Sequence, residues 1–284
     1  MHAIDHAERI IQEVKQFAKS SANSMKKWTD EPAWGTPIVG FSSGSDPLYK
    51  FYQQDIGEFY HLPIEFLAHK YPKNQFDANS ITIISWVLPQ TEATKQDHRR
   101  ETHFPSERWA RSRIFGEDFN NALRQHMVDF FHTHDIQAIA PLLSPLWESK
   151  TSVKYGYAST WSERHAAYAS GLGTFGLSDG LITPVGKAMR TGSVIVNLTI
   201  EPTLRPYDHP NAYCLFHMQG TCGECITRCP INAITEEGHN KVICRSYVQM
   251  TRHYVTRHYG FKGYSCGFCQ TAVPCESGIP EELQ

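Results

Sequence analysis

The sequence predicts an α+β body followed by a smaller iron–sulfur module, with a boundary near residue 205. Three observations predict it. All eight cysteines lie between Cys214 and Cys275, and the first 213 residues hold none. Residues 1–205 alternate helical apolar periodicity with short β-branched runs. A proline-containing stretch, residues 202–210, separates the two parts, giving expected units of 1–205 and 206–284.

Along the body, Ala7, Ile10, Ile11, Val14, Phe17 and Ala18 recur at helical spacing, so residues 3–19 read as an amphipathic helix. Residues 28–40 are rich in Pro and Gly and read as a loop. Ser45, Asp46 and Pro47 form a cap followed by a first-turn proline, opening a helix to about Phe59. Residues 81–88 are β-branched, short and closed by Pro89, a buried strand. Residues 90–100 read as a polar loop. Ser106 and Glu107 open another helix, whose second half aligns Phe119, Leu123, Met127, Phe130 and Phe131. Residues 136–140 read as a strand. Ser162 caps a short helix that Gly171 ends in the left-handed conformation. Residues 181–184 and 192–200 read as strands, and residues 243–259 as a helix.

The cysteines read Cys214, then Cys222, Cys225 and Cys229 before Pro230, then Cys244, then Cys266 and Cys269, then Cys275. A Cys-Pro ending marks bacterial-type iron–sulfur runs, in which the Cys before Pro ligates the other cluster. Two [4Fe–4S] clusters need eight thiolates. The crossed assignment gives one cluster Cys214, Cys222, Cys225 and Cys275, and the other Cys229, Cys244, Cys266 and Cys269. Cys214 lies further upstream, and Cys275 further downstream, than the usual spacing puts them. Two four-thiolate zinc sites on the Cys222/Cys225 and Cys266/Cys269 pairs are the main rival. A disulfide framework and isolated structural cysteines are the others; the first suits short secreted chains.

Other motifs carry less. Gly171, Gly173 and Gly176 match G-x-G-x-x-G, but follow a helix where a dinucleotide fingerprint follows a strand. Gly40, Ser42 and Gly44 match G-x-S-x-G, with little strand before them; the bland reading is a flexible polar loop. His2 and His6 are spaced as ligands at a terminus. Tyr155, Tyr157 and Trp161 are either core aromatics or hold a phenol placed to give up a proton. A net charge of −2 gives no footprint for duplex nucleic acid. With no apolar signal region and no run long enough to span a bilayer, a membrane role is not expected and a reducing cytoplasm is.

One ordered set of residues resembles a known superfamily. Glu163-Arg164 opens an Ala-rich helix, Gly171-Leu172-Gly173 follows, then Leu181-Ile182-Thr183-Pro184, then Arg190-Thr191-Gly192, then the cysteine module. This order resembles the epoxyqueuosine reductases and corrinoid reductive dehalogenases. The resemblance implies a nitroreductase-like, cobalamin-binding α+β domain followed by a ferredoxin-like module with two [4Fe–4S] clusters. It implies base-off cobalamin lying against Gly171, Gly173, Thr174, Phe175, Gly176, Leu181, Ile182, Thr183 and Pro184. Its reaction would remove an epoxide oxygen, hydroxyl or halide reductively from a small or nucleoside-like substrate. An external ferredoxin or flavodoxin would supply the electrons. The alternative is an electron carrier serving a partner enzyme. Epoxyqueuosine reductases carry an Asp proton donor six positions before the Glu-Arg pair. Here that position is Tyr157, and since dehalogenases use a Tyr, Tyr157 becomes the expected proton donor.

Overall fold

The computed structural model describes residues 3–27 and 31–284. His2 and residues 28–30 of the expected loop lie outside the described residues. A four-stranded sheet in the order β1 (Ile38–Ser43), β2 (Thr82–Pro89), β8 (Met189–Val196), β3 (Ala138–Ile139) forms the centre, every pair antiparallel. Both faces are covered, which explains why β2 reads as a continuous apolar run. Alternate residues point to opposite faces. Ile84, Trp86, Leu88, Val194 and Val196 pack with α1 (Ala3–Ala18) and the long α5 (Glu107–His132). Ile83, Val87 and Ile195 pack on the other side with α2 (Pro47–Ile56), α3 (Pro63–Lys70) and α6 (Glu163–Ala169).

The remaining body elements are α4 (Glu92–Arg99), the hairpin β4 (Ser149–Ser152) and β5 (Gly156–Ser159), and the pair β6 (Thr174–Phe175) and β7 (Leu181–Ile182). The cysteine module holds α7 (Leu215–Gln219), α8 (Glu224–Thr227), the pair β9 (Ile234–Thr235) and β10 (Gly238–His239), and α9 (Lys241–Tyr259).

Two of the three expected N-terminal caps are present, whereas Ser162 stands before α6 without a capping bond, its hydroxyl 2.8 Å from His165 Nδ1 instead. The Asp46 side chain accepts from Leu48 N, and the Ser106 side chain from Trp109 N. Gly171 adopts φ +76 after α6. Two further local readings are corrected. Residues 90–100 hold the helix α4, whose Thr91 side chain accepts from Thr94 N. Its sequence is polar throughout, so no apolar stripe announces it; only Thr94 and His98 are buried. Residues 38–43, read as loop, form strand β1. Ser42 is buried there, bonded to the Tyr49 hydroxyl at 2.8 Å, with the Ser170 hydroxyl donating to it at 3.2 Å. It is tied into the sheet and does not stand on a nucleophile elbow.

The module is sewn to the body. Arg99 pairs with Glu276 at 2.7 Å, Tyr213 N donates to Thr174 Oγ1 at 2.9 Å, and Arg228 donates to the Glu101 carbonyl at 3.0 Å. A third core joins Leu177 and Ile182 of the body to Tyr213, Cys225, Ile234 and Val273. No helix among the described residues is long and apolar enough to cross a membrane.

Candidate iron–sulfur and substrate site

The eight cysteines gather about two cavities. Cys214, Cys222, Cys225 and Cys275 all line the first, which has about 370 Å³ of atom-free space. Its other walls are mostly apolar, including Leu177, Ile182, Tyr213 and Val273, with one charged side chain, Lys187. Burial pushes the Cys225 thiol up to about 11; Lys187 opposes this, and Cys269, Cys275 and Cys214 add to it. Burial also raises Cys275, with Lys187 opposing and Cys214 and Cys222 adding.

Cys244, Cys266 and Cys269 line the second cavity, which has about 860 Å³ of atom-free space, open solvent included. Cys229 belongs electrostatically with them. Burial raises the Cys244 thiol to about 11, and Cys269 and Cys229 push the same way. Cys229 Sγ accepts a hydrogen bond from Ala233 N at 3.2 Å, a contact that tunes ligated sulfur in iron–sulfur proteins. Gly267 stands between two of these cysteines with φ +104, and a Cβ there would come within 2.3 Å of the Trp109 indole. Only glycine lets the Cys266 loop settle against the stacked rings of Trp109, His98 and Phe268.

The second cavity has a basic wall. Arg113, Arg164 and Arg190 line it, with Gln90, Ser178 and His239. His239 Nδ1 meets Asp179 Oδ2 at 3.1 Å. Burial alone would raise the Asp179 carboxyl, but the His239 hydrogen bond, Lys241 and Arg164 hold it below its ordinary value. An imidazole oriented through Nδ1 keeps Nε2 free to carry a proton. Sequence reading missed this pair. His239 is one of fifteen histidines, and Asp179 is sixty residues away; only the fold joins them.

The Glu-Arg pair of α6 has two jobs. Glu163 is buried: Ser193 Oγ donates to it at 2.5 Å, and Arg124 Nε pairs with it at 3.2 Å. Burial raises its carboxyl despite Arg124 and Ser193. Arg124, fully buried, also pairs with Glu117 at 2.9 Å. Glu117 in turn lies 3.1 Å from Arg190 Nε, although that nitrogen has no well-aligned hydrogen-bond acceptor. This network fixes α6 and α5 to β8. Arg164 turns the other way, donates to the Asp179 carbonyl and lines the cavity.

None of the nine residues expected at a corrin lines this cavity. A Cβ on Gly171 would lie 2.8 Å from Leu204 O, and one on Gly173 only 2.3 Å from Ile182 O. Thr174 accepts from Tyr213 N, and Phe175 N donates to Pro210 O at 2.7 Å. Gly176 N donates to Gly180 O at 2.8 Å, and Thr183 Oγ1 to Gly186 O at 2.7 Å. Leu181 is core, Ile182 faces the first cysteine cavity, and Pro184 is at the surface. The chain's own atoms fill the space these residues would offer a flat macrocycle. Tyr157 is 40% exposed on β5, bonded to Ser149 Oγ at 2.9 Å, with Arg245 stacked 4.2 Å over its ring. It faces a shallow cleft on α9, apart from the large cavity.

Comparison with known proteins supports the resemblance. An epoxyqueuosine reductase of Staphylococcus aureus is 28% identical over 174 residues, covering 59% of this chain and 41% of that protein. One from Lactococcus garvieae is 27% identical over 212 residues, covering 72% and 53%. The chain is similar to the epoxyqueuosine reductases. It spans about half the length of the curated relatives it matches. No family model matches it. The fold is shared with solved epoxyqueuosine reductases. One from Bacillus subtilis aligns at TM-score 0.52 and 19% identity, and one with an epoxyqueuosine-modified tRNA stem loop at 0.54 and 20%; each alignment covers 100% of this chain and 68% of that one. A reductive dehalogenase aligns only at 0.45, too low to carry an argument.

Proposed function

We propose that this chain is a two-cluster iron–sulfur reductase that delivers electrons to a substrate in the large basic cavity. The gathering of seven of the eight cysteines about two cavities, with Cys229 in electrostatic reach of Cys244, carries the reading. One [4Fe–4S] cluster would be held by Cys214, Cys222, Cys225 and Cys275, the other by Cys229, Cys244, Cys266 and Cys269. Soft thiolates suit both iron–sulfur clusters and zinc. A single zinc needs its sulfurs about 2.3 Å from one point. Among the described residues no three Cys, His, Asp or Glu converge to hold one ion, and the first four cysteines ring a volume instead.

A low-potential donor, ferredoxin or flavodoxin, supplies electrons one at a time. Two electrons and a proton replace a carbon–halogen bond by carbon–hydrogen and release halide; two electrons and two protons convert an epoxide to an alkene and water. The walls Arg113, Arg164 and Arg190 hold negative charge as it develops, and His239, oriented by Asp179, donates the proton. Tyr157, the proton donor expected from the resemblance, lies outside this cavity. Three arginines and a His–Asp pair in the wall beside Cys244, Cys266 and Cys269 support an enzyme over an electron carrier. The nine residues nominated for cobalamin do not fit it, so no step is routed through a corrinoid. Because one structural neighbour was solved with a modified tRNA stem loop, an RNA-borne nucleoside epoxide is the first substrate to try.

The test is anaerobic turnover of epoxide- and halide-bearing nucleosides by the reduced protein, with and without added cobalamin. Turnover without cobalamin supports the reading. Turnover that requires cobalamin, with the spectrum of the added cofactor shifting to its base-off form, restores the corrinoid. No turnover under either condition leaves an electron carrier.

A further inference from the structure

The first cysteine cavity has one feature that four thiolates alone do not explain. Lys187, in the turn between β7 and β8, is 2% exposed and lines that cavity. Its backbone N donates to Cys275 O at 2.8 Å and Glu276 O at 3.1 Å, which straps it to the cysteine-bearing tail. Its stem lies on Gly180, where a Cβ would come within 2.6 Å of Lys187 Cε. Among the described residues no carboxylate pairs with Lys187; the nearby Glu276 carboxylate pairs through Oε2 with Arg99, and its buried Oε1 has no hydrogen-bond partner. A buried ammonium is costly unless an anion answers it, and lysine is usually kept out of such places.

We propose that Lys187 is the fixed counter-charge of the cluster held by Cys214, Cys222, Cys225 and Cys275, and that it raises the reduction potential of that cluster more than that of the other. This rests on the two-cluster reading above. A cluster on four thiolates is anionic and gains another negative charge on reduction. A cation beside it in a dry, apolar cavity favours the reduced form, since net charge and burial are among the terms that set cluster potentials. The ion faces no solvent that could screen it. The cations at the other set have different partners: Arg190 lies against Glu117, Arg164 bonds the Asp179 carbonyl, and Arg228 bonds the carbonyls of Thr271 and Glu101.

The experiment is a redox titration followed by electron paramagnetic resonance, on the full chain purified anaerobically, for wild type, Lys187→Met and Lys187→Arg. The expected result is that Lys187→Met lowers the midpoint of one cluster by at least a tenfold change in its reduction equilibrium, 59 mV for one electron. The other cluster shifts by clearly less, and Lys187→Arg stays close to wild type. If Lys187→Met assembles only one cluster while Lys187→Arg holds both, the counter-charge role is also supported, because charge and not shape is then required. Unchanged midpoints in Lys187→Met with both clusters present would overturn the inference. So would equal shifts of both clusters, or loss of the cluster in Lys187→Met and Lys187→Arg alike. A wild-type protein without iron would instead remove the reading beneath it.

Discussion

The two cysteine cavities differ in almost every respect except their ligands. The first is small, lined by apolar side chains, and has one buried cation. The second is more than twice as large and has three arginines and a His–Asp pair in its walls. Low dielectric and exclusion of water suit a relay whose charge must be held steady. Polarity, cations and a proton source suit the place where bonds break. The same four-thiolate chemistry is thus set to two tasks by its surroundings, and each prediction below pushes on that division.

The largest effect is expected at the proton source. His239→Gln should lower turnover by about 10²-fold or more, the scale of general-acid catalysis, with iron content unchanged. Steady-state kinetics beside metal analysis checks it, and wild-type turnover in the variant would remove His239 from the mechanism.

Next comes the frame of the second cavity. Arg124→Met leaves Glu163 and Glu117 without their buried partner, a change that typically costs about 3–5 kcal/mol. Chemical denaturation should register the loss; a change under about 1 kcal/mol would mean that the pair contributes little.

A smaller effect is expected in the pH dependence. Burial lowers His165 to about 3, and it is held neutral beneath the Tyr52 ring. Its unfolded value is near 6.5, so the unfolded chain binds more protons between those limits. The stability it contributes is therefore full above pH 6.5 and is lost as pH falls towards 3, by about 1.4 kcal/mol per pH unit. His165→Gln should flatten that slope in melts run from pH 7 to pH 5, and an unchanged slope would contradict the assignment.

The smallest effect is at the surface cleft. Tyr157→Phe should change turnover less than tenfold, because its phenol faces Ser149 and Arg245. Loss of activity with intact clusters would return Tyr157 to the proton-donor role implied by the resemblance.

Much of this architecture was legible in the sequence, for identifiable reasons. Strand β2 and the second half of α5 declare themselves because burial demands apolar side chains at a fixed period. The proposed grouping of the cysteines follows from local spacing and the Cys-Pro signature, and the first cavity brings Cys214 and Cys275 beside Cys222 and Cys225 although their spacings depart from the usual ones. Helix α4 was not legible, since a polar helix held by a Thr91 cap leaves no stripe. The corrin expectation at residues 171–184 rests on letters that carry a second meaning. Glycines that let a backbone approach a cofactor also let it approach Ile182 O and Leu204 O, and letters do not tell the two apart. His239 and Asp179 meet only through the β10 turn and the segment after β6.

The central claim is that the cysteines form two crossed sets, and iron counting in two single variants tests it most directly. Wild-type protein purified anaerobically should hold about eight irons and eight sulfides per chain. Cys275→Ser should lose the signal of one cluster and Cys229→Ser that of the other, each leaving about four irons, with different remaining spectra. Loss of the same cluster in both variants, or two zincs in place of iron, would contradict the account.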